Sequence, residues 1–185
     1  SAPSGNPALP LSLDPFRPTW ELIRLARKKQ SVYLSILGIS WFWAFGATFL
    51  SLFPSYTKDV LGGSEPLATL FLALFSVGIG LGSMLCERLS RERLELGLVP
   101  LGSFGMSLFT LDLWLVGQPW AMPAEPLGVG AFLSTFAGIR IAIDLSLLAL
   151  FGGFMIVPMY TLVQWRTDPT ETARVIAGNN VMNAL

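Results

Sequence analysis

SVYLSILGISWFWAFGATFLSLFPSY, the stretch from Ser31 to Tyr56, decides the fold class. No charged residue interrupts the chain between Lys29 and Lys58. A bilayer core about 30 Å thick is crossed by roughly 20 apolar residues in a helix rising 1.5 Å per residue. Strands do not account for apolar runs of this length, so the stretch is read as a membrane-spanning helix.

Working outward, the reading repeats. With span A at about 31–56, span B covers about 67–86 between Glu65 and Glu87, and span C about 96–116, interrupted only by Asp112. Span D covers about 139–165, with Arg140 and Asp144 near its start and Arg166 just past its end. A partial span E covers 173–185. Composition agrees: 52% of the 185 residues are hydrophobic and 13% charged, with a mean hydropathy of +0.60. A soluble domain carries about a quarter charged residues. The fold class expected is therefore all-α, a polytopic membrane helix bundle with four full spans and the start of a fifth.

Residues 1–30 have a different character. Residues 1–18 hold five prolines among Gly, Ser and Asn, a linker composition. Thr19 can cap a short amphipathic helix from Trp20, ending in Arg27, Lys28 and Lys29 at the headgroups; a flexible basic linker is the alternative. The start lacks an initiator Met and the end falls inside a helix start, so a piece of a longer chain is expected. Between spans C and D, Gly117 to Gly138 is turn-rich around Pro119, Pro123 and Pro126. Its apolar run Gly130 to Phe136 is too short to cross, and either lies in the outer interface or extends span D.

The loops set orientation. Arg24, Arg27, Lys28 and Lys29 precede A, only Lys58 lies between A and B, and Arg88, Arg91 and Arg93 follow B. No Lys or Arg occurs between C and D before Arg140, and Arg166 and Arg174 follow D. The positive-inside rule places the N-terminal segment, the B–C loop and the D–E loop in the cytoplasm.

Several functions are excluded or left without support. No histidine occurs, which removes serine–histidine catalysis, histidine metal sites and histidine proton switching. Formal net charge is zero and there is no basic stripe with interleaved aromatics, so nucleic acid is not an expected partner. The single cysteine, Cys86, sits in an apolar run and reads as packing. No catalytic group and no cofactor are called for.

The B–C loop carries the first constellation: Gly80-Leu81-Gly82-Ser83-Met84-Leu85-Cys86-Glu87-Arg88-Leu89-Ser90-Arg91-Glu92-Arg93. It resembles the cytoplasmic loop signature of the major facilitator superfamily. Glu87 stands for the acid, Arg88 and Arg91 match the basic positions, and Ser83 and Ser90 replace glycines. An acid at a helix end with arginines on a tight loop can bond neighbouring helix termini and hold one state of a rocking transporter. A plain positive-inside loop is the alternative reading. Leu37 to Gly46, Phe75 to Glu87, Phe151 to Tyr160 and Thr172 to Asn180 further resemble the lysophospholipid transporter branch of that superfamily.

That resemblance covers most of residues 19–185. It implies that spans A to D are family helices seven to ten and E the start of eleven, in the C-terminal six-helix half. It implies movement of lysophospholipid across the bacterial inner membrane by alternating access. The partners it implies are membrane lipids, a lysophospholipid or related amphiphile, and the N-terminal half of the same chain. In some bacteria the branch is fused to a glycerophospholipid acyltransferase, a further candidate partner domain.

Family helix seven lines the cavity, so Trp41, Phe42 and Phe45 are candidates to cradle an acyl chain; lipid-facing or packing aromatics are the alternative. Arg140 and Asp144, four apart, can pair along one helix face near the outer mouth, as headgroup contacts or as an interfacial pair. Asp112 reads as interfacial. Asn180, with Asn179 and Asn183, faces either the cavity or a neighbouring helix. Gly78 and Gly82, Gly102 and Gly105, and Gly152 and Gly153 read as close-packing positions, and Pro158 as a kink in span D. The function expected is amphiphile transport. The alternatives are a major-facilitator transporter of another small solute, the membrane portion of an acyltransferase fusion, and a membrane scaffold without transport.

Overall fold

The computed structural model describes residues 29–90, 95–117 and 121–167. Helix α1 spans Gln30–Ser55 and widens into a π-helical turn over Tyr56–Val60. Helix α2 spans Glu65–Ser90, α3 Leu98–Val116, the short α4 Val129–Leu133, and α5 Phe136–Arg166. Four of these, counting α1 with its extension, are long and apolar enough to cross a membrane. The chain is all-α, a multi-pass membrane bundle. The amphipathic segment before Lys29, Arg91, and the partial span E with Asn180 lie outside the described residues.

Each span boundary follows local chemistry. The widened turn comes directly after Pro54, which has no N–H to give the helical ladder. The run Gly130 to Phe136 does not extend span D. It contributes the separate helix α4, because Thr135 caps α5 by accepting from the Gly138 amide at 2.9 Å. α5 then runs unbroken through Pro158. Several hydroxyls inside the spans are satisfied locally: Ser83, Ser103, Ser146 and Thr161 each donate to the carbonyl four residues back.

α5 is the spine. Over its most apolar window 61% of residues are buried, against 17–28% for the other three long helices. α2 lies parallel to it at backbone contact: a Cβ on Gly82 would sit 2.0 Å from the Leu150 carbonyl oxygen. Two apolar clusters fill the bundle. One joins Val32, Ile36, Ile39 and Phe42 of α1 to Met155, Ile156, Met159 and Val163 of α5, near the end marked by Lys29 and Arg166. At that end Lys29 Nζ donates to the Arg166 carbonyl at 2.7 Å, satisfying a terminal helix acceptor. The other cluster joins Phe53, Phe71, Phe75 and Phe132 to Ile141, Leu145 and Leu148, near the opposite end.

That opposite end is tied by backbone bonds between loops. The Leu127 amide donates to the Gly62 carbonyl at 2.8 Å, and the Ser64 amide donates to the Leu127 carbonyl at 3.0 Å. Gly62 holds φ +63°, a conformation other residues rarely adopt. We call this the loop-bridged end and the other the basic end.

Candidate functional site

Charged groups inside the bundle gather at the loop-bridged end. Asp112 lies four residues before the end of α3, and Arg140 and Asp144 lie on successive turns at the start of α5. Arg140 does not pair first with Asp144, its neighbour on the same face. Its Nε donates to Asp112 Oδ2 at 2.9 Å, and its Nη2 donates to Asp112 Oδ1. This fork-to-fork pairing fixes α3 against α5 and uses both oxygens of Asp112. The Arg140 and Asp112 side chains are 42% and 28% exposed.

Asp144 is 3% exposed, the most buried charged residue among those described. It lies one turn beyond Arg140 on α5, beside the Arg140–Asp112 pair. Its Oδ2 has no hydrogen-bond partner among the described residues. The arrangement therefore sets two carboxyl groups against one guanidinium, on two helices, at the edge of an apolar core.

Beside this triad lies an open groove of about 410 Å³ between α1 and α3. Phe49 and Phe53 form one wall and Leu113 and Trp114 the other, over Leu145, which follows Asp144 on α5. Tyr56 and the exposed Asp59 bring polar groups to the wall. The Tyr56 hydroxyl, like Asp144 Oδ2, is buried without a hydrogen-bond partner among the described residues.

An aromatic ladder leads along α1 to this groove. Trp41 stacks on Phe45 with centroids 5.4 Å apart, Phe45 lies 4.6 Å from Phe49, and Phe49 meets Phe53 edge-on at 6.0 Å. Four-residue spacing places these rings on one side of the helix over roughly 18 Å of its length. Trp41 is exposed and Phe45 half-buried. Phe42 is 6% exposed and packs in the basic-end cluster, its ring over Gly152, so it fills core rather than lining the groove.

The remaining candidates are separate from this cluster. Glu87 and Arg88 are exposed at the basic end of α2. Arg91 and Asn180 lie outside the described residues. Sequence reasoning placed Asp112 at the interface but missed it as the partner of Arg140. Pairing between two helices leaves no spacing signal, whereas an i, i+4 pair does. The ladder was half-seen, in Trp41 and Phe45, and its continuation through Phe49 and Phe53 was open to the same spacing rule. Tyr56 carried no signal.

Among the described residues no group of three or more His, Cys, Asp and Glu is placed to hold a metal ion. No protein-family model, curated protein or solved structure matches the chain.

Proposed function

We propose that this chain is part of a transporter that moves lysophospholipid, or a related amphiphile, across the bacterial inner membrane by alternating access. In this reading the basic end faces the cytoplasm, following the distribution of Lys29, Arg88 and Arg166. The observation that carries it is the α1 aromatic ladder running into a largely apolar groove that has Tyr56 and Asp59 in its wall. An acyl tail needs apolar contact without hydrogen bonds, which Phe45, Phe49 and Phe53 offer. A polar headgroup needs hydrogen-bonding partners at one end, which Tyr56 and Asp59 offer. The resemblance to the lysophospholipid branch of the major facilitator superfamily supports the same cargo class. The other half of such a transporter would close the site.

The test is a flipping assay on the full-length protein in vesicles, with labelled lysophosphatidylethanolamine and an unrelated drug run side by side. The expectation is selective movement of the lysolipid, slowed by about tenfold in Phe49→Ala, the equivalent of about 1.4 kcal/mol of lost aromatic contact. Lysolipid movement no faster than in protein-free vesicles would refute the reading.

A further inference from the structure

We infer that Asp112, Arg140 and Asp144 form a binding site for one proton, shared between the two carboxyl groups. The inference starts from charge and geometry and does not depend on the cargo. Two acids face one base, so the fully ionised triad carries one uncompensated negative charge. The guanidinium is already engaged with both oxygens of Asp112. What is left over is Asp144 Oδ2, on a side chain 97% buried and without a partner among the described residues. A bare carboxylate oxygen in apolar surroundings is unfavourable unless a donor or cation meets it.

A proton is the ligand this geometry accommodates. It neutralises the excess charge, and it turns the buried carboxylate into a hydrogen-bond donor beside the Asp112–Arg140 fork. The proton then belongs to the pair rather than to either residue. A metal cation is poorly served: it requires several oxygen ligands, and no group of three or more acidic, Cys or His side chains gathers here among the described residues.

Among the described residues the surroundings supply no competing charge from within the core. At this end α2 presents Phe71 and Phe75 to α5, with Glu65 exposed at its start. α4 presents Phe132. The π-turn after α1 carries Lys58 and Asp59, both exposed, and the hydroxyl of Tyr56 lines the neighbouring groove. α3 contributes Asp112 itself. Loss of the proton would set two anions against one fork and strain the α3–α5 clamp beside Leu145, the floor of the groove. Occupancy of the site is thereby linked to the shape of the groove.

Infrared difference spectroscopy on the full-length protein in lipid nanodiscs reads the site directly. The wild type should show the carbonyl stretch of a protonated carboxylic acid, displaced in heavy water. Asp144→Asn and Asp112→Asn should each lose that band, and Glu65→Gln should keep it. Asp144→Glu, which retains the acid on a longer side chain, should shift the band, and this arm holds should the asparagine variants fold poorly. Absence of the band in the wild type, or its persistence in both asparagine variants, would overturn the inference. So would its removal by sodium chloride at fixed pH, which would make sodium the occupant.

Discussion

Alanine at Gly82 should loosen the bundle, whereas alanine at Gly80, two residues earlier on the same helix, should not. A Cβ at Gly82 falls 2.0 Å from the Leu150 carbonyl oxygen, and the nearest atoms are all α5 backbone. Ordinary contact begins at 3.4 Å, so α2 and α5 must part locally by about 1.4 Å. Backbone cannot swing aside as a side chain can. Overpacking of this kind costs about 1–3 kcal/mol. Alanine's better helix propensity returns about 1 kcal/mol, so a net loss of about 1 kcal/mol is expected, close to a fivefold fall in the folded-to-unfolded ratio. At Gly80 nothing lies within 4 Å, leaving only the propensity gain. Reversible unfolding of the full-length protein in mixed micelles, followed by tryptophan fluorescence, measures both. The double variant Gly82→Ala/Gly153→Ala adds a check, since a Cβ on Gly153 would meet Ser83 and Gly82 across the same crossing. One separation relieves both clashes, so the double should cost less than the sum of the singles. Equal stability of Gly82→Ala and Gly80→Ala would refute the close-approach argument.

Arg140→Gln should lower the melting temperature by more than Arg166→Gln does, because it leaves the Asp112 and Asp144 carboxyl groups facing each other without a cation; exchanging charges in Asp112→Arg/Arg140→Asp should recover part of the loss. Phe42→Ala should destabilise by about 3–5 kcal/mol, the cost of a cavity in a packed cluster. The half-buried Phe49 should cost less on truncation yet slow lysolipid movement more, and a flipping assay paired with an unfolding curve separates the two. Trp43→Phe removes the 3.0 Å bond from the indole N–H to the Tyr160 hydroxyl and should cost roughly 0.6 kcal/mol, a typical value for one polar contact between membrane helices.

Helix existence was legible because hydrocarbon as solvent demands long apolar runs, and the described residues obey that demand four times. Boundaries were set by features composition does not weigh. Span B was drawn from Leu67 to Cys86, but the helix runs Glu65–Ser90, since charged ends continue a helix into the headgroups without breaking its ladder. Span D was drawn from Ile139, but the Thr135 cap starts it three residues sooner. The site was less legible. Arg140 and Asp144 stood out because charge in a span is costly, and cost draws attention to position. Their partner on α3 could not be read from one-dimensional spacing, because which faces of α3 and α5 meet depends on how both pack. The aromatic ladder was readable in principle: residues 41, 45, 49 and 53 are all aromatic at the interval that stacks side chains on one face.

The placement of the groove follows from how α1 is fastened. Its first half carries Val32, Ile36, Ile39 and Phe42 into α5, where Met155 and Met159 fit their shapes, and Lys29 secures the end of α5. Its second half turns Phe49 and Phe53 toward α2 instead, against Phe75 and Phe71. α3 meanwhile stays on α5, held near its far end by the Asp112–Arg140 fork. Two helices that share a spine at the basic end but lean on different partners at the loop-bridged end must leave a gap between them, and Leu145 is the residue of the spine that lines it. The gap is thus a consequence of two competing attachments, aromatic for α1 and ionic for α3. Weakening either should change its width: loss of Phe75 would let α1 fall back toward α5, and loss of the fork would let α3 drift. Of the two, only the ionic attachment answers to protonation, so the groove has a chemical control on one wall and a fixed hydrophobic seat on the other.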